Sequence, residues 1–262
     1  MSDSLDNRWN GTPKHKESAA ADRIETGNQV NSAVNSWDTA DVDRYEQSIA
    51  LKIPGYAHMH DLMEKLLTAS IAHNNSINIL ITGAGGGKEV SLLGTRHPDW
   101  QLTGMDTSPR MLTLAEKRAE EAGITNKVKL LPVTMEQLPV DLMYDGATSM
   151  LMLHFIHGLE AKKTFLRHLA KRLKPGSPLI IAAVNANPAS PAYAVMMQAW
   201  KDYMLQAGVL AEEWEWFAAS LGQQSDPVSS ETLEQLLAEC GFSQITRYFG
   251  ALWVEAYYAI RD

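Results

Sequence analysis

Cysteine is almost missing: Cys240 is the only one in 262 residues. A single thiol closes no internal disulfide and builds no Cys-rich zinc cluster, which fits a reducing, cytoplasmic setting. A basic surplus is missing too, with 23 Lys and Arg against 31 Asp and Glu and a formal charge of −8. Proteins hold nucleic acid by neutralising its phosphates, so a polynucleotide partner is disfavoured. No run of about 18 apolar residues occurs. The first 30 positions also lack the basic-then-apolar order of a signal peptide, so neither a membrane partner nor export is expected.

What is present is an alternation of apolar segments. Residues 1–30 mix Ser, Asp, Asn, Gly, Lys and Glu with little that is apolar, which reads as a mobile tail or a lid that orders over ligand. Within 31–75, Ile49, Ile53, Met59, Leu62, Met63, Leu66 and Leu67 recur at helical spacing, with Pro54-Gly55 as a break, and predict a helical cap. The remainder, 76–262, reads as one α/β domain. Strands are predicted at 77–82, 101–105, 128–133, 146–153 and 179–184, with helices at about 88–96, 109–122 and 161–173 between them. That alternation argues for a doubly wound parallel sheet. A helix at 231–240 precedes two strand-like segments, 243–249 and 252–260, which flank Gly250 and should pair antiparallel at the sheet edge. A helical insertion, 186–228, interrupts the rhythm after the fifth strand and carries Tyr193, Trp200, Tyr203, Trp214, Trp216 and Phe217. An insertion at the carboxyl edge of a parallel sheet lies over the ligand crevice, although the same aromatics suit a satellite core.

Two features carry chemistry. Gly83-Ala84-Gly85-Gly86-Gly87 joins the first strand to a helix, where glycines permit a tight turn and close approach of a ligand. A nucleotide-triphosphate loop is excluded, because Gly87-Lys88-Glu89 lacks the Ser or Thr that would meet magnesium. Asp106 ends the second strand about 20 residues later, the place from which a carboxylate takes both hydroxyls of a ribose. The alternative is that Asp106, followed by Thr107-Ser108-Pro109, only caps the next helix.

In order and spacing these segments resemble the class I S-adenosylmethionine-dependent methyltransferases. Gly83 to Gly87 is similar to the first motif of that family, Gly104-Met105-Asp106-Thr107-Ser108-Pro109-Arg110-Met111-Leu112 to its second and residues 128–139 to its third. Leu169-Ala170-Lys171-Arg172-Leu173-Lys174-Pro175-Gly176 resembles the turn before its fifth strand, and the terminal hairpin its reversed last strand. The resemblance implies a Rossmann-like, seven-stranded α/β sheet with an antiparallel last strand, and S-adenosyl-L-methionine as cofactor. It implies cofactor contacts at Gly83, Ala84, Gly85, Gly87, Asp106, Thr107, Met111, Thr134, Met135 and Met150. Ile81 stands where the family often has an acidic residue, and Thr134 where it usually has Asp. Lys52-Ile53-Pro54-Gly55-Tyr56 and residues 231–242 further resemble the carboxy-S-adenosylmethionine synthase branch, which makes Tyr56 a cofactor contact. That branch uses an Arg in the insertion to hold an extra carboxylate, whereas Lys201-Asp202-Tyr203-Met204-Leu205-Gln206-Ala207-Gly208 has none.

A sulfonium methyl is already activated, so the protein implied by this resemblance has to align a nucleophile and exclude water. His154 and His157, just past the fourth strand, are the candidate bases, or else plain loop residues. No Asp, Glu or Cys stands beside them, and no metal is expected. Trp200, Tyr203, Trp214 and Trp216 are the candidate acceptor wall. The partners expected are a small-molecule acceptor and, at most, a second copy of the chain as a homodimer. Methyl transfer is the leading expectation, with a carboxy-S-adenosylmethionine synthase-like enzyme and a non-catalytic S-adenosylmethionine-binding protein as alternatives.

Overall fold

The computed structural model describes residues 48–71 and 77–262. The tail expected at 1–30, and the stretches 31–47 and 72–76 of the expected cap, lie outside the described residues. Residues 48–52 are helical, the chain turns at Pro54-Gly55, and helix α1 (Tyr56–Ser70) follows. The strands are β1 (Ile77–Thr82), β2 (Trp100–Met105), β3 (Val128–Leu131), β4 (Gly146–Met150), β5 (Pro178–Val184), β6 (Phe242–Ala251) and β7 (Val254–Arg261). Between them run α2 (Lys88–Arg96), α3 (Pro109–Glu121), α4 (Leu159–Ala170), α5 (Tyr193–Gln206), α6 (Ala211–Ser220) and α7 (Ser230–Glu239).

The strands form one sheet in the order β3-β2-β1-β4-β5-β7-β6. The first five are parallel, and β7 runs antiparallel to both β5 and β6. The terminal hairpin therefore docks through β7 and leaves β6 at the edge. Strand order reverses beside β1, whose neighbours are β2 and β4, so the carboxyl end of β1 is the switch point at which such sheets bind ligands.

Strand alternation divides the core into two sides. Ile79 and Ile81 face one side and Leu80 the other, while Ile180, Ala182 and Val184 alternate with Leu179, Ile181 and Ala183. The first side is covered by α1, α2 and α3 through Met63, Leu67, Val90, Leu93 and Leu112, and continues into Trp200, Met204 and Trp214 of the insertion. The second is covered by α4 and α7 through Leu166, Leu169, Leu233 and Leu236. Strands buried on both faces read as unbroken apolar runs, which is why β1 and β5 stand out in the sequence.

Several elements differ from expectation at their ends, among them β3, β4 and α4. β3 stops at Leu131, ahead of Pro132, which has no amide hydrogen to donate. β4 stops at Met150 rather than at residue 153, because Leu151 takes a left-handed backbone (φ 58°) and a 3-10 turn, Leu153–Phe155, follows. The helix expected at 161–173 runs from Leu159 to Ala170, a residue before the turn into Pro175 begins to form. No described helix is long and apolar enough to cross a membrane.

Candidate functional site

At the carboxyl end of β1 the backbone takes a path that only glycine follows without strain: φ is 65° at Gly83, 49° at Gly85 and 83° at Gly87. A Cβ on Gly87 would stand 2.7 Å from Ala115 Cα, so α2 and α3 touch there because that side chain is missing. The Ala84 N–H donates to Met105 O (2.9 Å), lacing the turn to the end of β2. Asp106 completes the lacing. One of its carboxylate oxygens accepts the Gly85 N–H (2.9 Å) and the other accepts the Ser108 N–H (2.9 Å). Ser108 caps α3 by accepting the Met111 N–H (3.4 Å), and Pro109 fills the first helical position. The cap is thus Ser108, and the Asp106 carboxylate is turned to the glycine turn. Thr107 is exposed next to it, and Met111 is buried in the first turn of α3.

Met152, which the sequence reading passed over, lies against this turn: a Cβ on Gly83 would come within 2.5 Å of its Cγ. Met150, named instead, is buried in the first-side core. Thr134 accepts into its carbonyl from Gln137 and Leu138 and donates its N–H to Gln137 Oε1 (2.9 Å). Met135 belongs to the second-side core together with Met105 and Leu138, so its side chain serves packing. Tyr56 opens α1, with its ring 4.4 Å from that of His60, and lines a cleft of about 500 Å³ together with Lys88, the residue after the glycine turn.

The two histidines after β4 are unlike. His154 is only 6% exposed. Its Nδ1 accepts the Val184 N–H (3.3 Å), and burial, with the Lys162 charge adding to it, pushes the imidazole down to about 3. With Nδ1 occupied and the proton affinity lowered by burial, His154 is placed as a core residue, the other reading that the sequence offered it being a base. His157 is exposed and donates from Nε2 to Gln224 O (3.2 Å).

The aromatics of the insertion do not converge on one pocket. Trp200 is fully buried, donates from Nε1 to Lys52 O (2.7 Å) and meets Phe217 edge-on at 4.9 Å. Trp214 is buried 5.8 Å from the same ring, and Tyr203 packs half-buried on that cluster. Trp200, Tyr203 and Trp214 are therefore corrected from acceptor wall to satellite core, tying the insertion to the segment before α1. Trp216, at 80% exposure, points away from any such packing. The insertion is anchored at its feet by groups without a local sequence signal. Asn185 donates from Nδ2 to Val228 O (3.0 Å) and from its backbone to Trp253 O (2.7 Å), and Asp226 meets Lys162 at 2.8 Å.

Residues 79–176, from β1 to the turn before β5, match the family model described as a methyltransferase domain. Over this stretch the chain is similar to the methyltransferase domains. The chain is 30% identical over 123 residues to a malonyl-[acyl-carrier protein] O-methyltransferase of Priestia megaterium, covering 47% of this chain and 42% of that one. It is 32% identical over 114 residues to the O-methyltransferase rstn1 of Aspergillus nomiae, covering 43% and 49%. It thus spans about half the length of these curated relatives. Among solved structures, an O-methyltransferase family protein from Burkholderia thailandensis superposes with a TM-score of 0.61 at 14% identity, covering 84% of this chain and 59% of that one. The N-methyltransferase NodS from Bradyrhizobium japonicum, in complex with S-adenosyl-l-homocysteine, superposes at 0.58 and 14% identity, covering 87% and 96%. At such identities the superpositions establish the fold alone, which this chain shares with both.

Proposed function

We propose that this protein transfers a methyl group from S-adenosylmethionine to a small-molecule acceptor at the carboxyl edge of the sheet. The observation that carries the reading is the Asp106 carboxylate, one hydrogen bond from Gly85 at the switch point, in a turn whose backbone requires glycine. These residues fit an adenosine-bearing cofactor. Asp106 would hold the ribose hydroxyls, the backbone from Gly83 to Gly87 would receive the amino-acid portion, and the Thr134 hydroxyl would accept from the adenine amino group. When bound, S-adenosylmethionine supplies a methyl group on a positively charged sulfur, already activated for displacement.

What remains for the chain is alignment and exclusion of water. Met152 packs against Gly83 on the apolar side of the turn. An acceptor that arrives with a free lone pair needs no base. For one that must lose a proton, the exposed imidazole of His157 is the group to test, since His154 is held in the core. Lys201 is the only cation in 201–208 and is engaged by Glu215 at 2.8 Å, which favours methyl over carboxymethyl transfer because no cation there is left to hold a second carboxylate.

The experiment is a screen of small metabolites with methyl-labelled cofactor, read by S-adenosylhomocysteine release, alongside calorimetry with S-adenosylhomocysteine. Micromolar binding and label in a small product support the reading. Absence of S-adenosylhomocysteine binding overturns it.

A further inference from the structure

Lys162 has no exposed side-chain surface, although it sits in the first turn of α4 on the outer layer of the domain. A buried ammonium is tolerated only where an anion and carbonyls replace its water. Here Lys162 Nζ donates to Asp226 Oδ2 (2.8 Å) and to the Ile156 carbonyl. Asp226 belongs to the closing end of the insertion. Its carboxylate also accepts the Gly158 N–H (2.7 Å), and its own N–H donates to the His154 carbonyl (2.7 Å). Two residues earlier, Gln224 O accepts from His157 (3.2 Å). Residues 154–158 and 224–226 are thus stitched together across the sequence, with the Lys162 charge at the centre of the seam.

The loop caught in this seam starts at the cofactor side. It leaves β4 through Leu151, in a left-handed conformation that strains a bulky residue, and passes Met152, which lies on Gly83. The 3-10 turn Leu153–Phe155 then carries His154 to Asp226. A continuous series of contacts therefore runs from the glycine turn to the foot of the insertion.

We propose that Lys162 and Asp226 are positioning residues that latch the end of the insertion onto the loop after β4, so that filling the cofactor site orders the acceptor side. The inference rests on the methyl-transfer reading for what fills the site. It acts through the loop and the insertion, and neither residue touches the reacting atoms.

The test is hydrogen exchange on the full chain with and without S-adenosylhomocysteine, for the natural protein, Asp226→Asn, Lys162→Met and the double variant. In the natural protein, S-adenosylhomocysteine slows exchange in the glycine turn, in 150–158 and in 220–228. In each variant the glycine turn keeps its ligand-dependent protection and affinity stays within about threefold, while 220–228 exchanges at least tenfold faster and no longer responds to ligand. The double variant removes both charges, leaves no uncompensated buried ion, and so folds even where a single variant does not. Ligand-dependent protection of 220–228 surviving in the double variant overturns the latch, and so does a loss of protection spread evenly over the sheet. If the natural protein binds no S-adenosylhomocysteine, the methyl-transfer reading fails, and equal ligand-free exchange of 220–228 in all four proteins overturns the latch separately.

Discussion

The glycine turn and the insertion both grow from the carboxyl ends of strands, β1 and β5, yet they are held by different means. The turn is fixed by backbone: three positive-φ glycines, amide hydrogens on Asp106, and a helix contact that leaves no room for a Cβ at Gly87. The insertion is fixed by side chains: a buried Trp200–Phe217–Trp214 cluster at one side and the Lys162–Asp226 pair at the other. A part specified by backbone geometry tolerates no local change, whereas one specified by packing tolerates change wherever volume is kept. The family model ends at residue 176, before the insertion begins, and so takes in the part held by backbone and leaves out the part held by packing.

The variant with the largest expected effect separates the two. Trp200→Ala empties a fully buried site and removes the hydrogen bond to the Lys52 carbonyl, which costs about 3–5 kcal/mol by urea unfolding. S-adenosylhomocysteine affinity, read by calorimetry below the transition, stays within about threefold, and a parallel collapse of affinity would show that the regions are one unit. Gly87→Ala makes the reverse cut. Positive φ and the 2.7 Å approach to Ala115 together cost about 2–4 kcal/mol, and ligand binding is lost with them. Asp106→Ala is milder in stability and aimed at the ligand: affinity falls about 10- to 100-fold, or about 1.5–3 kcal/mol, while exchange in the insertion is unaltered when no ligand is present.

A fourth prediction concerns the joint between α1 and α2, which supports the turn from behind. Burial alone would raise the Glu64 carboxyl, but hydrogen bonds from Lys65, His97, Arg96 and Thr68 outweigh it and hold the group down to about 2, against 4.5 ordinarily. A carboxyl depressed in the folded state stabilises above its unfolded pKa and loses that contribution as pH falls toward the folded one. Stability should therefore decline from about pH 4.5 toward pH 2, by about 1–2 kcal/mol from this group, and Glu64→Gln should remove that part of the slope in thermal melts.

The sheet, its helices and the cofactor half were legible because their signals are local: apolar runs bounded by turns, glycines where φ must be positive, an acid at a strand end. A helix cap was legible at this place, but the sequence offered Asp106 for it, whereas Ser108 caps the helix and Asp106 accepts the Gly85 and Ser108 N–H groups. The insertion was less legible. A tryptophan in sequence carries no direction, so Trp200, buried, and Trp216, exposed, read alike. His154 could not be told from His157 in the sequence because the Val184 N–H that occupies its Nδ1 lies 30 positions along the chain. Lys162 looked like any surface lysine of an amphipathic helix, since the carboxylate that buries it is 64 positions away.

The smallest effect is expected where the comparison is sharpest inside the insertion itself. Trp216 is 80% exposed on α6, two residues after the buried Trp214. Trp216→Ala removes no buried contact, so unfolding should shift by less than about 0.5 kcal/mol, and cofactor affinity should not move. The informative reading is the Michaelis constant of whichever acceptor the label screen yields. A ring open to water closes no pocket, so that constant should stay within about twofold, with kcat unchanged. A rise beyond tenfold at constant kcat would mean that Trp216 folds onto the acceptor when it binds. The insertion would then be held by packing at its base and completed by the substrate at its tip, and only the buried half of its aromatics would count as scaffold.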